Sequence, residues 1–172
     1  TGLSIATSMS AAKNGGVQVT INLTAVTVDD NGIIDAVVID CVQATVGVDA
    51  AGQLTTDPAT AFQSKNELGD GYGMRKASAI QKEWNEQANA FEAYVVGKTA
   101  AEVKAIQTQE ANGHLIAVDE ALLKAGCSMQ ITDFITAVAK ACEDKDAVAF
   151  KAGEGFKLGV AAKSNAADSK AA

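Results

Sequence analysis

The stretch Ser64–Ser78, SKNELGDGYGMRKAS, places three glycines among Lys65, Tyr72, Met74, Arg75 and Lys76. Glycines let backbone N–H groups approach an anion, so GDGYG with Arg75 and Lys76 behind it is a candidate phosphate cradle. Tyr72, Met74 and the nearby Trp84 offer apolar surface to a flat ligand. Against the cradle stand Glu67 and Asp70, which flank it and repel an anion. The favoured reading is a solvated corner between sheet and helix, with Tyr72 and Met74 tucked onto the core. Other chemistry is thinner. His114 is the single histidine and sits beside Asn112-Gly113, where an exposed loop residue is expected. Cys41, Cys127 and Cys142 have apolar neighbours and form no CxxC pair, so they read as small buried hydrophobes, with one disulfide open in an oxidising compartment. Asp29-Asp30-Asn31-Gly32 lacks the alternating oxygens and terminal glutamate of a calcium loop and reads as a hairpin turn. No catalytic or metal-ligating constellation is legible.

The elements that must position these residues change character along the chain. Residues 17–24 alternate, with Val17, Val19, Ile21 and Leu23 expected on the core face and Gln18, Thr20, Asn22 and Thr24 opposite. The phase slips at Ala25, where a bulge is expected. After the Asn31-Gly32 turn a β-rich run continues over 33–49, with Ile34, Ala36, Val38, Val42, Ala44, Val46 and Val48 on one face. Beyond Asp57-Pro58 the period becomes helical. Ile80, Trp84, Ala88, Phe91 and Val95 predict a helix over 78–97, started by Ser78 and Gln81 and stopped by Gly97. Thr99 with Glu102 starts a second. Residues 117–124 read as a third, stopped by Gly126, and 133–142 as a fourth with Phe134, Val138 and Ala141 inward. The fold class is therefore α+β, an antiparallel β-meander packed against a small set of helices. Ile80, Trp84, Phe91 and Val38 should share its core.

The 172 residues suit one domain, 1–155, followed by a 156–172 segment that resembles the start of the chain. Leu158, Ala161, Ala166 and Ala167 repeat Leu3, Ala6, Ala11 and Ala12 at one offset, and Val160 answers Ile5. Both ends are expected to be strands, with Leu3, Ile5, Phe156, Leu158 and Val160 serving assembly between subunits by strand exchange or in tandem array. The net charge of −7 and scattered lysines argue against nucleic acid and anionic membranes. No 18-residue apolar run predicts a membrane span. Thr1 opens directly on a strand-like pattern, which reads as a mature or trimmed chain.

The stretch KNELGDGYGMRKASAIQKEWNEQANAFEAYVVGKTAAEV, residues 65–103, resembles secreted lipoproteins of anaerobic Gram-positive bacteria. More distantly the chain is similar to the FMN-binding domain family of the major membrane immunogen type. The shared order is strands around Asn31-Gly32-Ile33-Ile34, the Lys65…Tyr72…Met74 segment, the Trp84 helix, and CSMQITDF before a last helix. That resemblance implies a chain exported to the cell envelope or exterior, with any lipid anchor lying outside these residues. It implies a non-enzymatic binding or structural module, or alternatively an electron-transfer domain holding FMN non-covalently at Tyr72, Met74, Arg75 and Trp84. Covalent flavin is not expected, because Cys127–Thr132 reads CSMQIT where flavin-attaching members carry S-G-A-T.

Overall fold

The structure, a computed structural model, describes residues 1–12, 15–111, 113–148 and 162–163. Three long strands, β1 (Gly2–Ala11), β2 (Val17–Val28) and β3 (Ile34–Val46), form an antiparallel sheet in chain order. The β2–β3 turn is built by Asp29, whose Oδ1 accepts the N–H groups of Asn31 and Ile33, with Gly32 at φ 75°. That is the conformation which makes Asn-Gly a hairpin signal. Helices follow: α1 (Lys65–Leu68), α2 (Trp84–Val95), α3 (Ala100–Lys104), α4 (Glu120–Ala125) and α5 (Thr132–Cys142). A short hairpin, β5 (Thr108–Ala111) with β6 (His114–Ala117), separates α3 from α4. The α+β class and the meander are as expected.

Helices α2 and α5 pack on one sheet face, but it is the opposite of the expected one. Residues directly opposite across an antiparallel ladder share a face. Val26 opposes Val37, Thr24 opposes Ile39 and Asn22 opposes Cys41. Val26, Val37, Ile39 and Cys41 join one core with Trp84, Phe91, Phe134 and Val138. The helices therefore lie over the even-numbered residues of β2, including Thr20, Asn22 and Thr24. Val17, assigned to the core by alternation, is 42% exposed, and Val19, Ile21 and Leu23 are half-buried. Ser4 and Thr24 are buried instead, and Gly2 admits the helix: a Cβ there would lie 1.7 Å from the carbonyl oxygen of Ala141 in α5.

The expected bulge at Ala25 is absent, since the β1–β2 and β2–β3 registers run unbroken through it. The irregularity falls between Thr27 and Val28, which oppose Ala36 and Ile34 and leave Asp35 as the extra residue. This shift brings Ile34 and then Val37, Ile39 and Cys41 to the helices, and leaves Val38 half-buried on the other side.

Helix α2 starts at Trp84 rather than 78. Gln81 adopts φ 52°, which a continuing helix cannot accommodate, and Glu83 forms the capping box with Glu86. Ile80 thus stands outside the helix, 37% exposed, while Trp84 and Phe91 are buried as expected. Thr99 and Glu102 do form their capping box. The third helix starts at Glu120, and Ala117 ends β6.

The repeated ends differ in their pairing. Leu3–Ser8 lies within β1 and pairs with β2. Of the second copy, Ala162–Lys163 (β7) pairs within the same chain with β4 (Ala61–Phe62), away from the three-stranded sheet. Phe156, Leu158 and Val160, and the boundary placed at 155, fall outside the described residues.

Candidate functional site

A cleft of 970 Å³ opens over the far end of the helix-covered sheet face. Its floor is Thr20 and Asn22 of β2 with Cys41 and Gln43 of β3. One wall comes from Lys65, Tyr72, Met74 and Trp84, the other from His114, Ile116, Ser128, Met129, Gln130 and Asp133. The polar character of Thr20 and Asn22 fits this: they line a cavity rather than packed core, while Thr24 is buried under the helices.

Two buried side chains, Glu83 at the N-cap of α2 and Gln87 within it, hold the walls. Glu83 accepts the N–H of Met74 at 2.8 Å and that of Arg75 at 2.9 Å. Gln87, fully buried, accepts the N–H groups of Ser128 and Met129 and donates to Ser78 Oγ and the Lys82 carbonyl. Residues 64–78 are ordered as α1 and two 3₁₀ turns, Gly69–Tyr72 and Met74–Lys76. Ser64 and Glu67 form a capping box on α1, and Asn66 donates to the Ile39 carbonyl at 2.9 Å, tying α1 to the edge of β3.

Lys65 is consequently held facing inward. It is 8% exposed, with Nζ 4.7 Å from the centre of the Tyr72 ring and 5.0 Å from that of Trp84. Such contacts stabilise a desolvated ammonium by about 1–2 kcal/mol each. The Lys65 charge acts on the Cys41 side chain, which borders the same cleft. Burial pushes the Cys41 thiol up and Lys65 opposes this, the net being a rise, so Cys41 stays a neutral thiol at physiological pH. Burial also lifts Cys127 and Cys142 to about 11. All three cysteines are free thiols.

Of the residues expected to hold a flavin, Tyr72, Met74 and Trp84 converge on this cleft and Arg75 does not. Arg75 turns outward to Asp70 at 2.6 Å and Glu86 at 3.0 Å. Those acids leave it no free charge for the glycine loop. Trp84 is no open platform either. It is 6% exposed, with Phe134 edge-on at 5.8 Å and Lys65 near its ring. Tyr72 donates its hydroxyl to Gln43 Oε1 at 3.1 Å, which orients both against the floor. Lys65, quoted only as part of the segment with Tyr72 and Met74, Gln87 and the β5–β6 wall were not among the expected site residues, although Asn112-Gly113 carried the hairpin signal for the last. His114, read as a loop residue, is exposed at the start of β6 with Nδ1 2.8 Å from Gln130 Oε1.

Among the described residues no group of three or more His, Cys, Asp or Glu side chains is placed to hold a metal ion. Among the described residues, too, no helix is long and apolar enough to cross a membrane. A 43-residue segment, 25% of this chain, is 49% identical to chlorophenol reductase of Desulfitobacterium hafniense and spans 13% of that protein. No family model matches the chain, and no solved structure matches it significantly.

Proposed function

We propose that this chain is a non-enzymatic binding module of the cell envelope or exterior whose cleft holds a small planar organic ligand, with non-covalent FMN as the ligand to test. The observation that carries this reading is the cleft itself, which lies in the size range of small-molecule sites and combines apolar walls with a few convergent polar groups. Tyr72, Met74 and Met129 would border an isoalloxazine, and the amides of Asn22 and Gln43 would meet its hydrogen-bonding edge. Ser128, Met129 and Gln130, from the segment where flavin-attaching relatives carry their threonine motif, border the same space. Bound, the flavin would supply one- or two-electron transfer. The exported setting rests on the resemblance of residues 65–103.

Titration with FMN, followed by quenching of flavin fluorescence, tests the ligand. A saturable response is expected, with Met74→Ala and Asn22→Ala each weakening it at least about fivefold and Arg75→Ala leaving it unchanged. A flat titration to about 1 mM FMN overturns the flavin assignment.

A second reading concerns assembly, and the exposure of Leu3 (45%) and Ile5 (49%) favours it. Both lie on the edge strand β1, on the face away from α2 and α5. We propose that a second copy of this chain covers that face. Neither β1 nor β2 contains a charged residue, so few like charges oppose two copies of an anionic chain meeting there, Asp144 against the Leu3 N–H being the acid at that edge.

A further inference from the structure

Lys65 is the cationic side chain of the cleft and enters no ion pair among the described residues, although one carboxylate, Asp133, stands in the same lining. Among the described residues the ion pairs join Arg75, Lys104 and Lys124 to carboxylates, and Lys65 enters none of them. Its neighbour in the lining, Cys41, is a neutral thiol that offers no charge. The closest acid in sequence on the adjoining strand, Asp40, is already engaged, accepting the N–H of Cys41 at 2.7 Å and that of Asn66 at 3.2 Å. A buried ammonium that meets two ring faces and makes no ion pair among the described residues retains much of its desolvation cost. An anionic oxygen entering the cleft would offset that cost and accept from the ammonium's N–H groups.

Position points the same way. Lys65 borders the cleft, whereas Arg75 and Lys76, the bases behind the glycine loop, are absent from its lining. Anchoring of α1 by Asn66 and by the Ser64–Glu67 capping box keeps the ammonium inward without a ligand. We propose that Lys65 is the anion-recognising group of this cleft and binds a carboxylate or phosphate oxygen of the ligand. This rests on the cleft being a ligand site and narrows its ligand to an organic anion, with the charged group buried between β3 and the aromatic wall rather than held at the glycine rim.

The chain contains one tryptophan, Trp84, so its emission reports directly on Lys65. Benzoate and inorganic phosphate are titrated separately against the full chain, with benzamide as the uncharged counterpart of benzoate. A saturable change with benzoate or phosphate, and none with benzamide, is expected. Lys65→Met should weaken that response at least about tenfold, and Lys65→Arg should retain it within about threefold. An equal response to benzamide and benzoate overturns the proposal on the wild-type chain alone, whether or not Lys65→Met folds. So does an undiminished response in a folded Lys65→Met, or no saturable response to either anion. FMN binding that survives in Lys65→Met while the anions stay silent removes this assignment and leaves the flavin reading standing. An anion response in a chain that ignores FMN supports Lys65 and removes only the flavin.

Discussion

Glu92 shows how one side chain can tie stability to pH. It projects from α2 to the edge of β3, where Oε1 accepts the N–H of Ile39 at 2.7 Å. Burial raises its pKa from 4.5 to about 7, with Asp40 adding to the rise and the Ile39 N–H opposing it. The folded state therefore holds this proton more tightly than the unfolded chain does. The stability it contributes is fully present below about pH 4.5, is lost progressively up to about pH 7, and is constant above. Each unit is worth about 1.4 kcal/mol, and partial exposure reduces the total to about 1–3 kcal/mol. Asp29, Glu102, Asp119 and Asp144 work in the opposite direction: hydrogen bonds from backbone N–H groups lower them, so their contribution disappears only on acidification below about pH 4. Thermal unfolding followed from pH 4.5 to 8 should show Tm falling towards pH 7 and then levelling. Glu92→Gln keeps an acceptor for Ile39 and removes the titrating proton, so it should flatten that slope and raise stability at pH 8 by about 1–3 kcal/mol. An unchanged slope in the variant would assign the pH dependence elsewhere.

At the scale of elements, α2 organises the site through side chains that its apolar stripe does not advertise. Gln87→Met preserves volume but strands the N–H groups of Ser128 and Met129, which should cost about 2–4 kcal/mol in denaturant unfolding and blunt ligand responses. A loss under about 0.5 kcal/mol would mean that water replaces the amide. The inward Trp84, Phe91, Phe134 and Val138 were legible because a 3.6-residue stripe records burial directly. The start of α2 was not, since Ser78 and Gln81 imitate a capping box while the positive φ of Gln81 and the Glu83–Glu86 box, which no local pattern singled out, set the true boundary. The sheet faces were misread for a related reason. Alternation separates Val17, Val19, Ile21 and Leu23 from Thr20, Asn22 and Thr24 correctly, but polarity alone cannot say that Thr20 and Asn22 floor a cleft while Thr24 is buried. Lys65 was quoted beside Tyr72 and Met74 but given no site role, because a lysine in a glycine-rich loop reads as surface. Only the pinning of α1 against β3 turns it inward.

Across the whole molecule, charge and apolar surface are segregated in a way that bears on assembly. The chain carries −7, yet β1 and β2 contain no charged residue, and β1 lies at the sheet's edge. Edge strands that must stay single commonly carry lysine, proline or a bulge; β1 has none of these and runs in unbroken register with β2. Its outward face presents Leu3, Ile5 and Met9 beside Val17, all exposed. Pairing of β1 beyond Leu3, whose N–H is already donated to Asp144 Oδ2, with its counterpart in a second copy would satisfy edge N–H and C=O groups and bury that row at once. Sedimentation velocity over about a hundredfold range of concentration should then show a rise in weight-average mass. Ile5→Lys places an ammonium on the proposed contact where solvent already reaches, so the variant should remain monomeric with unchanged far-UV circular dichroism and little loss of Tm. A wild-type chain that stays monomeric throughout that range would show that β1 tolerates an open edge. Equal association by Ile5→Lys would move the contact to another surface.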